Sequence, residues 1–386
     1  MPSADSVTAA GHAAGAKKRI VYLATRDLAY ARNSMFVRGL ATAFDVETIA
    51  STSKHYWVRI PVVALRLLGA RLSGRLSACD AVFVGFMAQP ILPFVRLLWH
   101  GRLISDAYLS VYETIVEDRR QVRPQSWLAR LARRLDGDLL RYSDLVFTDT
   151  EAHAEFFRRL TRPKGKLARV WLSAEIEQLG AWSQREYGDE PFEVLFWGAF
   201  IPLQGVDVIV RAAALLRDEA VRFTLAGTGQ TFSECVALSA ALGANNIKFV
   251  GWQPLSKVGD LARCSHLALG IFGSSDKAAR VIPNKVFEAL AMGMPVISGD
   301  SPAARELLTD GDDVLTVPMG SPEALAERIR FARANYAAVQ VAAKRGQSTF
   351  QRTASFECIT RLLVTRVREC LDGDGLIGSS PAVELP

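Results

Sequence analysis

The chain has 386 residues, 49% of them apolar, so it can bury a large core and form more than one domain. Its five cysteines and five histidines are scattered, without the spacing of a disulfide framework or of a zinc site. Residues 1–16 are rich in Ala, Gly and Ser but contain no apolar run, so we expect a disordered tail over residues 1–18 and no signal peptide.

Positive charge is concentrated in the first half of the chain. Residues 1–190 contain 27 Lys and Arg against 20 Asp and Glu, whereas residues 191–386 contain 19 against 20. Between residues 51 and 75, cations alternate with apolar residues and no acidic residue intervenes, the cations being Lys54, Arg59, Arg66, Arg71 and Arg75. Such a segment suits an anionic membrane surface, and a solvated helix face is the alternative. No nucleic-acid-binding motif accompanies the charge, so we expect no nucleic acid partner.

The first half alternates short apolar strands with helices. The predicted strands cover residues 19–24, 46–50, 81–86, 103–105 and 145–148, and the predicted helices cover residues 35–44 and 127–141. Strands that alternate with helices favour a parallel, doubly wound sheet. Asp136 and Asp138 form an Asp-x-Asp pair inside the second helix, which predicts a solvated helix surface and no metal site.

The second half repeats this alternation more clearly. Strands are predicted over residues 194–197, 222–226, 247–250, 266–271, 296–298 and 314–317, with helices over residues 205–217 and 233–242. The two halves meet near residues 171–192. We therefore expect an α/β protein with two doubly wound parallel-sheet domains facing a cleft. The first domain is predicted over residues 19–175 and the second over residues 190–353, followed by a helix over residues 354–372 and a tail over residues 373–386.

The most informative segment runs from Arg280 to Glu288 and on to Ser298. It is a polar loop that opens into a helix and is followed by a β-branched strand. Arg280, Lys285 and Glu288 thus cluster at a helix N-terminus above the end of a parallel sheet, where open α/β folds bind nucleotides and phosphates. The segment resembles the donor-binding element of retaining, nucleotide-sugar-dependent glycosyltransferases of family 4.

This resemblance implies the GT-B fold, in which two Rossmann-like domains face a cleft. The first domain would bind the acceptor, the second would bind the nucleotide sugar, and the final helix would cross back onto the first domain. Glu288 corresponds to the second carboxylate of the family's paired-glutamate motif, which hydrogen-bonds the ribose hydroxyls. Pro283 and Asn284 belong to the same donor-binding element, whereas Arg280 stands where the first glutamate is expected.

Residues 198–205 follow a predicted strand and open a helix, where backbone N–H groups can hold a diphosphate. They resemble the family loop in which a glycine, an arginine, a lysine and a glycine cradle the donor phosphates. Gly198 and Gly205 are present, but Ala199 stands at the arginine position and Gln204 at the lysine position. A simple strand–helix turn is the alternative interpretation of this loop.

The two missing cations have a candidate replacement elsewhere in the chain. A leaving diphosphate needs its charge neutralised, and this enzyme class uses no obligatory metal and no cofactor. We therefore predict that Arg280 and Lys285 supply the positive charge and act as catalytic groups.

Four further residues are donor-side candidates by resemblance. Gly227 and Gly229 end a strand and would allow the backbone to approach the donor closely. Trp252 follows the next strand, where the family brings backbone atoms to the nucleobase. Glu306 resembles the acidic residue that follows a later strand, with a structural role as the alternative.

The first domain offers three candidates. Asp106 and Tyr108 follow an apolar strand, and an exposed aspartate there would face the cleft and contact the acceptor or sugar. Many relatives have a histidine near this place, so the resemblance does not carry over the proton chemistry of Asp106. Arg32 lies in the loop after the first strand and would reach a phosphate across the cleft, with an ordinary surface arginine as the alternative.

Taken together, the resemblance implies a cytoplasmic, peripheral-membrane glycosyltransferase. It would move a sugar from a nucleotide diphosphate sugar to an acceptor hydroxyl with retention of configuration, and the leaving diphosphate would deprotonate the acceptor. The expected acceptor is a lipid-linked glycan or polysaccharide intermediate. Two alternatives stay open, a sugar-nucleotide epimerase of the same fold and a non-catalytic scaffold that has lost donor binding.

Overall fold

The structure of the protein is a computed structural model that describes residues 17–53, 55–183, 188 and 191–373. The two predicted tails lie outside the described residues, except for residues 17, 18 and 373, and so does Lys54. None of the helices in the described part of the chain is long and apolar enough to span a membrane.

The first domain is built on a parallel sheet of six strands. In chain order these are β1 (Arg19–Ala24), β2 (Asp45–Ala50), β3 (Ala81–Val84), β4 (Arg102–Asp106), β5 (Leu145–Thr148) and β6 (Lys166–Arg169). They lie side by side in the order β2-β1-β3-β4-β5-β6. Every residue of β3 and β5 is buried, as expected of parallel strands covered on both faces.

Helices cover both faces of this sheet. They are α1 (Ala31–Ala41), α2 (Tyr56–Leu72), α3 (Leu92–Leu98), α4 (Trp127–Tyr142), α5 (Glu151–Leu160) and α6 (Ile176–Leu179), with a short π-helical segment over Glu113–Asp118. Ile20 and Tyr22 of β1 pack in the core that contains α1, whereas Val21 and Leu23 pack in the core that contains α2, α3 and α5. This alternation places α1 on one face of the sheet and α2, α3 and α5 on the other.

The second domain repeats the architecture. Its strands are β7 (Phe192–Trp197), β8 (Val221–Ala226), β9 (Ile247–Gly251), β10 (Leu267–Leu269), β11 (Val296–Asp300) and β12 (Leu315–Pro318). They form a parallel sheet in the order β12-β11-β10-β7-β8-β9. The strand order therefore reverses between β7 and β10, and the crevice at such a switch point is where open α/β folds bind ligands.

Its helices are α7 (Val206–Leu215), α8 (Phe232–Ala241), α9 (Leu255–Arg263), α10 (Asp276–Ala279), α11 (Asn284–Met292), α12 (Pro302–Arg305), α13 (Pro322–Ala334), α14 (Tyr336–Thr353) and α15 (Phe356–Asp372). Helix α15 returns to the first domain and packs against α1, where Thr360 and Leu363 lie beside Gly39. Arg38 lies 4.7 Å from the centroid of the Phe356 ring, and Lys18 pairs with Asp372.

The predicted pair of doubly wound parallel sheets is confirmed. Two differences have a physical reason. The helix predicted over residues 35–44 begins at Ala31. Its first turn was not predicted because Arg32 and Asn33 are polar, although the fold buries both. Strand β6 was not predicted, because it is a partly exposed edge strand with charged residues at both ends.

Candidate functional site

The loops that follow β7 and β10 meet at the switch point of the second sheet. The Phe272 backbone N–H donates to the carbonyl of Gln204 at 3.1 Å. Gly205 has a φ of +62°, and a Cβ added there would lie 2.4 Å from the Gly273 nitrogen. Only glycine therefore allows these two loops to approach so closely.

The ends of β7 and β8 are equally tightly packed. The Gly198 N–H donates to the Ala226 carbonyl at 2.9 Å. Gly227 has a φ of +148°, and a Cβ there would lie 1.8 Å from the Gly198 oxygen, whereas a Cβ at Gly229 would lie 2.5 Å from the Phe200 oxygen. The structure thus brings together three of the glycines that the sequence singled out.

Lys285 reaches into this loop pair from the start of α11. Its side chain is buried, and Nζ donates to the Gln204 Oε1 atom. Nζ also lies 3.9 Å from the centroid of the Phe196 ring and 3.0 Å from the position that a Cβ on Gly198 would take. Gly198, Gln204 and Lys285, predicted from two separate motifs, therefore form one cluster.

The charge of Lys285 is poorly compensated. Among the residues that the structure describes, no carboxylate forms an ion pair with Nζ. Burial lowers the pKa of Lys285 well below its ordinary value, and the Glu288 carboxylate offsets only part of this effect. Its place in the first turn of α11 adds to the cost, because the N-terminal end of a helix carries partial positive charge.

Glu288 lies one turn further along α11 and is half-buried. Its Oε2 atom accepts a hydrogen bond of 2.5 Å from the indole Nε1–H of Trp197, the last residue of β7. Burial raises the pKa of Glu288, whereas the Trp197 hydrogen bond and Lys285 lower it. Trp197 was not predicted as a site residue, and its only signal in the sequence is an aromatic residue directly before a glycine loop.

Arg280 does not lie free in this cluster, which corrects the prediction of a second free phosphate cation. Its Nη1 atom pairs with Glu113 of the first domain, and Nη2 lies 3.4 Å from Asp276. The guanidinium also lies 4.8 Å from the centroid of the Phe156 ring. Arg280 therefore joins the two domains.

A buried chain of charges continues from Arg280 into the first domain. His153 Nδ1 lies 2.8 Å from Asp149 Oδ1, and His153 Nε2 lies 3.2 Å from Glu113 Oε2. Burial alone lowers the pKa of His153, but the two carboxylates outweigh it and raise the pKa to about 9. This group was not predicted, and its only signal in the sequence is a histidine four residues after an aspartate at a helix start.

The π-helical segment that contains Glu113 makes further contacts with the second domain. Asp118 Oδ1 accepts from the Leu203 N–H at 2.9 Å, and Lys277 Nζ donates to Thr114 Oγ1 at 3.0 Å. The Gln230 side chain donates to the carbonyl of Arg119 at 3.2 Å. The first domain therefore contacts the loop of residues 198–205 directly, through the hydrogen bond between Asp118 and Leu203.

Asp136 anchors this segment, contrary to the prediction that it lies on a solvated helix surface. It is fully buried, and its carboxylate accepts from Ser110 Oγ at 2.7 Å, from the Val111 N–H at 2.8 Å and from the Tyr112 N–H at 2.9 Å. Periodicity placed it on a helix correctly but did not show which face packs against the π-helical segment.

Asp106 and Arg32 are also buried, so the expectation of an exposed Asp106 facing the cleft is wrong. Arg32 donates to both carboxylate oxygens of Asp106, at 3.0 and 2.9 Å, and to the Val170 carbonyl at 2.7 Å. Arg32 is not a surface residue either, since its side chain is fully buried. The two predicted ligand contacts satisfy each other, and the buried Asp106 carboxylate presents no exposed oxygen to an acceptor.

The remaining candidates lie at different places around the cleft. Tyr108 donates to Asn284 Oδ1 at 3.2 Å across the two domains, and Pro283 directly precedes α11. Glu306 accepts from the Glu151 and Ala152 N–H groups, both at 2.7 Å. Its carboxylate thus caps α5 of the first domain, which matches the structural alternative for Glu306.

Trp252 follows β9, and its side chain is 71% exposed. Across the described ranges of the chain, no three His, Cys, Asp or Glu side chains are grouped so that they could hold a metal ion.

The fold and the switch-point site define a two-domain protein with the GT-B fold. The structure resembles sucrose-phosphate synthase from Thermosynechococcus elongatus, with a TM-score of 0.73 and 14% identity, over 92% of this chain and 100% of that one. It also resembles Anabaena Alr3699/HepE in complex with UDP-glucose, with a TM-score of 0.66 and 16% identity, over 91% and 99% of the two chains. The lipopolysaccharide outer core galactosyltransferase WaaB gives a TM-score of 0.63 at 12% identity, over 92% and 99%.

Comparison of the sequence with protein families gives a match within the second domain. Residues 191–335 match the family described as Glycosyl transferases group 1. The chain is 29% identical over 168 residues to the lipopolysaccharide core biosynthesis glycosyltransferase LpsE of Rhizobium meliloti strain 1021. That alignment covers 43% of this chain and 47% of the relative, so it spans about half the length of each protein.

Proposed function

We propose that the protein is a glycosyltransferase that moves a sugar from a nucleoside diphosphate sugar to an acceptor hydroxyl. The observation that carries the proposal is the cluster of Gly198, Gln204 and Lys285 at the switch point of a group 1 glycosyltransferase domain. A relative of the same fold binds UDP-glucose, and another takes part in lipopolysaccharide core biosynthesis.

The donor would lie along the C-terminal edge of the second sheet. Its diphosphate would occupy the start of α7 and α11, where backbone N–H groups and the Lys285 ammonium meet it. The Oε1 atom of Glu288 would accept hydrogen bonds from the ribose hydroxyls, since Trp197 already occupies Oε2. Trp252, beyond the end of β9, would lie on the nucleobase side.

The proposed reaction retains the anomeric configuration, as in family 4. Asp106 is paired with Arg32, so we assign proton acceptance to an oxygen of the leaving diphosphate on the same face of the sugar. Lys285 and the two helix N-termini would stabilise the developing charge, which makes a metal or other cofactor unnecessary. Arg280 would act indirectly, by holding Glu113 and the first domain in place.

The outer face of the first domain supports a proposed membrane surface. Helix α3 contacts both α2 and α4, and these helices carry large apolar side chains that are at least 65% exposed, namely Trp57, Leu65, Leu72, Leu97 and Trp127. Exposed arginines flank them, at Arg66, Arg71, Arg130 and Arg134. Arg59 is buried and does not belong to this face. Exposed aromatic and basic side chains on neighbouring helices suit an anionic bilayer, and we infer a lipid-linked glycan acceptor at the cytoplasmic side of a membrane.

Nucleotide release from a panel of UDP-, GDP- and ADP-sugars, with and without a lipid-linked acceptor, tests the reaction. We expect acceptor-dependent release, which Lys285→Ala abolishes and Lys248→Ala, at an exposed lysine of β9, leaves unchanged. A scaffold would release no nucleotide, and an epimerase would interconvert the donor or release nucleotide without an acceptor. Full activity of Lys285→Ala would contradict the assigned site.

Vesicle co-sedimentation tests the membrane surface. We expect binding to vesicles that contain phosphatidylglycerol and weak binding to pure phosphatidylcholine. The double variant Trp57→Ser, Leu65→Ser should lose binding, whereas Val341→Ser, at an exposed apolar residue of α14, should retain it. Equal binding of all three proteins would exclude this face as the contact.

A further inference from the structure

The buried ammonium of Lys285 has polar and aromatic neighbours, and no carboxylate in the described part of the chain forms an ion pair with it. Gln204 supplies a neutral amide oxygen, and Phe196 supplies the face of its ring. A buried cation normally pairs with a carboxylate or loses its proton, because the charged form loses its hydration. Burial beside uncharged groups therefore disfavours the charged form of Lys285 and lowers its pKa well below the ordinary value.

A diphosphate would change this balance. Its negative oxygens would lie beside Nζ in a region of low dielectric, where an opposite charge strongly favours the protonated amine. We propose that Lys285 takes up one proton when a nucleoside diphosphate binds, so that donor binding consumes a hydrogen ion. The inference rests on the proposed function, since it places the diphosphate at Lys285.

The other titratable groups near Lys285 act through Glu288. Glu288 lies on the same helix and favours the charged amine. Glu175, which precedes α6, and Tyr30 of the first domain both interact electrostatically with Glu288. Nζ also contacts Gln204 in the loop of residues 198–205 and Phe196 in β7. Neither of these side chains titrates.

Above about pH 7.5 the terminal phosphate of free UDP is fully ionised, since its pKa is about 6. In this pH range, any proton taken up on binding is therefore bound by the protein and not by UDP. Titration calorimetry of the full chain with UDP, in two buffers that differ in ionisation enthalpy, measures the number of protons taken up between pH 7.5 and 9.5. We expect an uptake approaching one proton and a Kd that rises by up to about tenfold per pH unit above the pKa of free Lys285.

Variants separate this lysine from other groups. Lys285→Gln should bind UDP more weakly, without proton uptake and with little pH dependence, and Lys285→Arg, whose charge is permanent, should also bind without uptake. Lys248→Gln, at an exposed lysine of β9, should retain the uptake.

UDP binding that takes up no proton in the wild-type protein, or uptake that persists in Lys285→Gln, would overturn the inference while leaving the proposed function intact. Absence of binding to UDP, GDP and ADP, together with absence of nucleotide release from their sugars, would overturn the proposed function itself.

Discussion

Arg280 of the second domain forms an ion pair with Glu113 of the first, and Glu113 is in turn held by His153. Burial raises the pKa of Glu113, but His153, Arg280 and Lys277 more than offset it, so the pKa is lowered and the carboxylate stays ionised. Around this pair, Asp118 binds the loop of residues 198–205, and Glu306 caps α5. These polar contacts therefore help to set the relative position of the two domains, together with the packing of α15 against α1.

Removing Arg280 should destabilise the protein by about 3 kcal/mol, because Arg280→Met leaves the buried Glu113 carboxylate with less compensation. Urea unfolding of Arg280→Met, Glu113→Gln and the double variant measures the coupling between the two residues. As a control, Arg345→Met breaks an exposed pair with Asp312 and should cost less than about 1 kcal/mol. Additive effects of the two single variants would show that the pair is not coupled.

His153 should make the stability of the protein depend on pH in the alkaline range. Its pKa is raised from 6.5 to about 9 in the folded state, so its contribution is fully present below pH 6.5 and is lost as the pH rises through 9. The raised pKa corresponds to a loss on the order of 3 kcal/mol. At pH 6 the wild type should be more stable than His153→Gln by about this amount, beyond any difference that remains at pH 9.5. The unfolding free energies of both proteins at the two pH values measure this change. A difference that does not change with pH would contradict a protonated His153.

Trp197→Phe should weaken donor binding through Glu288. The substitution preserves an aromatic ring but removes the indole N–H, so it takes away a hydrogen bond to the half-buried Glu288 carboxylate and raises the pKa of Glu288 further. We expect the KM for the donor to increase by about tenfold, with a smaller change in kcat, and the acidic limb of kcat/KM to move to higher pH. Trp99→Phe removes an indole hydrogen bond to the Arg102 carbonyl in the first domain, and it should leave KM unchanged.

Gly227→Ala should be strongly destabilising, because its Cβ would lie 1.8 Å from the Gly198 oxygen and its φ is +148°. We expect a loss of several kcal/mol in the free energy of unfolding, together with loss of nucleotide binding. Gly69→Ala, in the middle of α2 with no atom within 4 Å of the added Cβ, should instead raise stability by about 0.5–1 kcal/mol. Thermal unfolding of both variants compares the two glycines directly.

The sequence alone determined the two doubly wound sheets, the two glycine loops and the cluster at the start of α11. These features follow from local patterns, since apolar runs define buried parallel strands and glycines mark the turns where strands lead into helices. The sequence also predicted that Lys285 supplies a charge missing from the loop that contains Gln204, and the two side chains are in contact because the ends of parallel strands converge at one edge of a sheet.

Only the tertiary structure decided which charged groups are free. Arg280, Arg32, Asp106 and Glu306 each have a partner at least 74 residues away in the chain. The partners of Arg280 and Glu306 lie in the other domain, whereas Arg32 and Asp106 pair within the first domain. The strength of an ion pair depends on distance and burial, and neither is encoded in local periodicity. The sequence therefore identified Arg280 and Lys285 as equivalent cations at one helix start. The fold distinguishes them, because it pairs Arg280 with Glu113 across the cleft and buries Lys285 beside an uncharged amide.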